Sequence, residues 1–171
     1  MLIENESRET LVAALREWGV RFLAPSDARS LPEPLAPEEL ISRLAGHSDP
    51  RLRLALVPLF ILHPELTNLL PLISQPLAGH ENLMKLYTAA ACLQRMWSIR
   101  LGFYLRNVHL LPDLYSVKLG LPPADALGGK HCLYALAERE TFSQLSAYEG
   151  VIEMLFAQLK EEAQYEPTPA G

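Results

Sequence analysis

Metal or nucleophilic chemistry in this chain would have to come from five histidines, His47, His63, His80, His109 and His131, and two cysteines, Cys92 and Cys132. Metal ligands must converge, which on a helix means a spacing of three or four residues. No histidine has another His, Cys or acid at that spacing on a predicted helix face. His131 and Cys132 are neighbours and on a helix point about 100° apart, which reads as a capping imidazole beside a buried thiol. No metal and no cofactor is implied. Gly-x-Ser-x-Gly elbows and the glycine-rich phosphate loops are absent from the sequence, so neither acyl-transfer nor nucleotide chemistry has its usual marker. Gly128-Gly129-Lys130 leads into a predicted helix whose first amides offer an anion site, and a plain flexible turn is the simpler account. An enzyme would need a site assembled from loops, with Tyr104, His109, Asp113 and Tyr115 as its candidates; a loop His109 bonded to backbone explains that histidine equally well.

The stronger signal is charge segregation. Between Asn82 and Pro112 stand four basic residues, Lys85, Arg95, Arg100 and Arg106, and no acid, so the rest of the chain holds 11 basic against 20 acidic residues, a balance of −9. On a helix these four fall within an arc of about 140°, with Cys92, Met96, Ile99 and Phe103 among them. Solvated faces rarely mix that much apolar material with arginine, whereas interface cores favour Arg, Met and aromatic residues. Three readings stay open: a helix covered on both sides with its arginines neutralised internally, a protein-binding face, and a nucleic-acid contact. The partner-binding reading assigns Lys85, Arg95, Met96, Ile99, Arg100, Phe103 and Arg106, with Arg95, Arg100 and Arg106 bonding carboxylates of an acidic partner. It predicts that Arg95→Glu with Arg106→Glu abolishes binding and leaves the fold unchanged.

The elements positioning these residues are helical. The 171 residues are 49% hydrophobic and 20% charged, with a net charge of −5, enough for one domain whose core needs neither disulfide nor metal. The acidic balance disfavours non-specific nucleic-acid binding. The longest apolar run, Leu54 to Leu62, is too short to cross a bilayer, and no secretory signal is visible, so a cytoplasmic chain with reduced thiols is expected. Leu11, Leu15, Trp18 and Phe22 recur at helical spacing and predict a helix over 7–23. Four prolines between 25 and 37 mark a linker over 25–36, which makes residues 1–24 a candidate swapped or mobile arm. Pro37, Glu38 and Glu39 suit a first helical turn, with Leu40, Ile41 and Leu44 behind them. After the Asp49-Pro50 restart a second helix runs to His63, kinked at Pro58.

A short helix is expected between Pro64 and Gly79, then a long spine over 81–106, then a turn-rich stretch with one helical turn between Asp113 and Leu119. Helices from Lys130 and from a capping box at Ser146 close the chain, with an acidic, disordered tail over 164–171. The expected architecture is an all-α single domain of about six helices round the spine, its core spanning 37–163.

The segment APEELISRLAGHSDPRLRLALVPLFILHPEL, residues 36–66, resembles one HEAT-type helical hairpin, on its Asp49-Pro50 turn and the Arg53 one turn into an apolar second helix. No second copy follows at a period near 40, so a solenoid is not implied. The hairpin followed by a Leu- and Arg-rich helix also resembles small bacterial proteins encoded beside minimal nucleotidyltransferases in toxin–antitoxin-like pairs. That resemblance implies an antitoxin-like, non-enzymatic binder with a nucleotidyltransferase as partner, and it assigns no catalytic residue. Ribonucleases that occur beside such enzymes carry an Arg and, after four to six intervening residues, a His, and no Arg–His pair here has that spacing. A homodimer is also plausible from the apolar fraction.

Overall fold

The computed structural model describes residues 2–23, 34–73, 77–106, 109–140 and 143–165. Among them are eight α-helices and no strand, forming an all-α single-domain bundle. Helix α1, Leu2–Glu17, ends sooner than its apolar spacing predicts. Gly19 adopts φ +87°, and the Gly19 and Val20 amides bond back to the Arg16 and Leu15 carbonyls. A left-handed glycine just past a helix closes it this way, so Trp18 and Phe22 leave the helical stripe. The helix is not a detached arm: Leu11, Val12 and Leu15 are fully buried in the common core, and α1 packs on its own chain's α2 and α3. Here α2 is Pro37–Gly46 and α3 is Pro50–Leu54. Of the expected linker over 25–36, only Pro34 to Ala36 lie within the described residues.

Helix α2 begins on Pro37 with Glu38 and Glu39 in its first turn and buries Leu40, Ile41, Leu44 and Ala45. The Asp49 carboxylate caps α3, accepting from the Arg51 amide at 2.9 Å. Arg53 reaches back to the His47 and Ser48 carbonyls at 2.7 and 2.9 Å, tying the hairpin turn. The apolar run then breaks at Ala55 and continues as α4, Leu56–Leu62. Pro58 explains the break: it has no amide for the carbonyl four residues earlier. A 3-10 helix, Pro64–Leu72, follows.

The centre of the bundle is α5, Leu77–Met96, packed on α2, α4 and α7, the last being Lys130–Glu138. The expected unbroken spine over 81–106 is corrected here. Trp97, at φ −112° and ψ 23°, interrupts the helix, and the chain continues as α6, Ser98–Tyr104. No proline or glycine stands at the break. Tertiary contact accounts for it: Trp97 and Tyr104 both pack on Phe156, at ring-centroid distances of 5.8 and 6.5 Å. Phe156 belongs to α8, Ser143–Tyr165, which starts before the expected capping box and places Ser146 inside its first turns. Its last residues, Gln164 and Tyr165, were expected in the tail; 166–171 lie outside the described residues.

The stretch from His109 to Asp125 is held by polar bonds rather than periodicity. Gln94, fully buried on α5, donates to the His109 carbonyl and accepts from the Leu111 amide, both at 2.7 Å. The expected helical turn is present, the Leu119 and Leu121 amides bonding to the Tyr115 and Ser116 carbonyls. Gly129, at φ +97°, brings the start of α7 so close to α5 that a Cβ there would lie 2.3 Å from the Cys92 carbonyl oxygen.

Candidate functional site

Four cations were expected to share one helical face, and the structure divides them. Lys85 on α5 bonds Glu140 at 2.8 Å. Arg95, its side chain only 10% exposed, places Nε 2.6 Å from Asp125 and donates through NH1 to the Ala91 carbonyl at 3.0 Å. Arg100 lies beyond the break at Trp97, 3.4 Å from Glu153 and 3.9 Å above the Phe156 ring. Arg106 is exposed and has no ion pair among the described residues. Three of the four are thus neutralised within the chain, the internal reading of the face, and Arg95 is corrected from contact residue to structural tie.

The apolar members behave differently. Met96 turns inward and packs against Gly129. Ile99 and Phe103 on α6 remain 92% and 82% exposed. Together with Met96, Trp97 and Arg100 they line a shallow hollow of about 490 Å³. Trp97, at its edge, keeps its indole N–H buried without an acceptor, an unsatisfied donor of the kind folded proteins rarely tolerate.

A third exposed apolar side chain comes from the turn Ala126–Gly129, which packs on α5. Leu127 sits at φ 50°, ψ 39°, and is 77% exposed. For a residue with a side chain the left-handed conformation costs about 1–2 kcal/mol, and burial of Leu127 does not offset it. Leu127 was not among the residues singled out from sequence. The only local signal was Gly128-Gly129, which marks a turn and says nothing of a leucine displayed before it.

A second feature escaped sequence reading because it is built from three distant segments. A groove of about 950 Å³ runs between the end of α1, the end of α4 and the outer side of α8. Trp18, Phe22, Leu62 and Met154 form its apolar wall, with Arg16, Arg21, Glu161 and Glu162 also lining it. Trp18 is fixed by His63, whose Nε2 lies 2.5 Å from the Trp18 carbonyl oxygen. Gln158 ties the same end of α1 to α8, donating to the Gly19 carbonyl at 2.5 Å and accepting from the Arg21 amide at 2.9 Å. Leu105, directly after α6, lines this groove as well.

The loop-assembled constellation does not come together. Tyr104 packs on Phe103 and Phe156, whereas Tyr115 packs on Tyr87 at 5.6 Å. His109 is exposed and its carbonyl is held by Gln94. Asp113 serves the loop: it accepts from the Ser116 hydroxyl at 2.5 Å and from the Ser116 and Ala124 amides at 3.2 and 3.0 Å. Burial opposes its charge, but the Ala124 amide, the Ser116 hydroxyl and amide, and the Arg95 charge together hold its carboxyl below the usual range. Tyr87 is pushed up to about 12 by burial, which outweighs its bond with Thr67; its hydroxyl donates to the Pro112 carbonyl at 2.8 Å. Cys92 and Cys132 are both free and buried, and the Cys92 thiol is pushed up by its hydrogen bond to Cys132 and by burial. Buried thiols of this kind are inert. Among the described residues no three His, Cys, Asp or Glu side chains converge as metal ligands would, and no single helix is long and apolar enough to cross a membrane.

No family model matches the chain, and no curated protein or solved structure does either.

Proposed function

We propose that this chain is a non-enzymatic, protein-binding regulatory module that contacts its partner through α6. The observation that carries the reading is the exposure of Ile99 and Phe103, 92% and 82%, on an ordered helix beside Arg100. Large apolar side chains clustered with arginine are the composition of an interface centre, and Leu127, strained and exposed, adds to the same class of surface. The contact set is narrower than the mixed face expected from the sequence. Ile99, Arg100 and Phe103 form its centre and Arg106 its rim, with the inward-turned Met96 only lining the hollow, while Lys85 and Arg95 hold the fold.

The resemblance to small proteins encoded beside minimal nucleotidyltransferases makes such an enzyme the first partner to test, in an antitoxin-like pair. Free thiols suit a cytoplasmic setting. With Lys85, Arg95 and Arg100 paired internally, only Arg106 of that basic face remains for phosphates, and a nucleic-acid contact through it has less support.

The test is co-purification of the tagged chain with a co-expressed nucleotidyltransferase, repeated with Ile99→Asp plus Phe103→Asp. Capture by the native chain, lost in the double variant at an unchanged circular-dichroism melt, supports the proposal. Equal capture by both would remove α6 as the contact surface, and no capture by either would remove the nucleotidyltransferase.

A further inference from the structure

The exposed helix and the groove lie next to each other. Phe103 lines the hollow on α6, and Leu105, two residues later, lines the groove. Each surface is apolar and each asks for burial. A chain that carries a projecting helix and an adjoining groove can satisfy both with one symmetry operation: a two-fold axis beside Leu105 lays each copy's helix over the other's groove. A one-sided contact would leave a helix and a groove open at the ends and propagate as a filament; the two-fold closes.

Of the groove's charges without an ion pair among the described residues, Glu161 suits a basic helix and Arg16 does not. Arg106 follows α6, and Glu161 stands on the groove's α8 wall; both are exposed and neither has an ion pair among the described residues. Glu162 beside it already faces Arg21 at 3.7 Å and accepts from Gln158 at 3.0 Å. Seating α6 in the groove brings Arg106 toward Glu161, once on each side of the axis, and such rim pairs set register more than affinity.

We infer that α6 docks in the groove of a second copy of this chain, with Ile99 and Phe103 entering between Phe22 and Met154, to form a two-fold dimer. The inference rests on the reading of α6 as a contact surface and names its occupant when no other partner is bound. A heterologous partner that takes α6 therefore dissociates the dimer.

The experiment uses the full chain and two substitutions at exposed positions, Phe103→Asp on the helix and Ala157→Arg in the groove. Light scattering on a concentration series is expected to carry the native chain from 19.1 kDa toward twice that mass. Each variant alone is expected to weaken association by about tenfold or more. An equimolar mixture of the two recovers it, because the mixed dimer keeps one native helix-in-groove contact and sets the new Asp against the new Arg. Should Ala157→Arg fail to fold, Met154→Arg, at a half-exposed position, tests the same wall.

A native chain that stays monomeric throughout would overturn the inference, as would a dimer that the mixture does not restore, which would mean helix against helix. A monomer whose melting falls with Ala157→Arg alone would also overturn it, the groove then being filled from within one chain. If the native chain is monomeric and Phe103→Asp still abolishes capture of a heterologous partner, the dimer fails and the protein-binding reading survives. If Phe103→Asp changes neither, both fail.

Discussion

Arg95 and Asp125 bridge the end of α5 to the turn before α7, Nε to carboxylate 2.6 Å, with the arginine nearly buried and the aspartate open to water. The asymmetry matters, because the two ends lose different things when the pair is broken. Truncating Asp125 leaves Arg95 with its bond to the Ala91 carbonyl and some access to solvent. Truncating Arg95 empties a packed position against the turn.

Arg95→Met is accordingly expected to destabilise the chain by about 1–2 kcal/mol, and Asp125→Ala by less than about 1 kcal/mol. Urea titrations of the two variants check the order. Arg95→Glu is expected to lower the melting temperature, contrary to the fold-neutral outcome expected if Arg95 belonged to a partner face.

Gln94 fixes the backbone at the start of the loop at two points, the His109 carbonyl and the Leu111 amide. Gln94→Leu leaves the Leu111 amide without an acceptor in a buried setting and the part-buried His109 carbonyl without this donor, a loss of about 1–3 kcal/mol. Faster hydrogen exchange at the Leu111 amide, at a denaturant concentration where the native fold persists, identifies the mechanism.

The turn into α7 offers paired substitutions of opposite sign. Gly129→Ala adds a Cβ where the Cys92 carbonyl already stands and forces φ +97° on alanine, so a loss of about 3 kcal/mol or more is expected. Gly128, at φ +63° with open space around it, costs about 1 kcal/mol on the same change. Leu127→Asn relieves a left-handed leucine that buries little, and a gain of about 0.5–1 kcal/mol is expected. Thermal melts of the three variants rank them.

Asp113 makes stability fall in acid. Its folded carboxyl lies below the ordinary value of about 3.9, so its contribution is complete above that value and is lost as pH falls through the lower, folded one. Asp113→Asn is expected to be less stable than the native chain at neutral pH and to show a flatter decline below about pH 4. Chemical denaturation at neutral and acid pH gives both slopes.

Local chemistry made most helix positions legible. The Pro37 start with two acids behind it, the Asp49 cap and the buried set Leu40, Ile41 and Leu44 all lie where the sequence predicts them. Pro58 breaks its helix for a reason visible in one residue. Gly19 was an equally local stop signal, and the continuing stripe of Trp18 and Phe22 masked it. The candidate face was legible only in part: Ile99 and Phe103 stand exposed, while the side chains of Lys85 and Arg95 pair with Glu140 and Asp125.

The sequence alone determined the all-α class, the positions of most helices and the apolar stripe of each, because helical hydrogen bonds, caps and proline breaks act within about four residues. Only the tertiary structure decided that the spine is interrupted at Trp97, that α1 joins the core, that Arg95 and Arg100 find acids 30 and 53 residues away, and that α1, α4 and α8 line a groove. Each depends on which helices pack together, and packing is set by contacts between segments that no local spacing encodes.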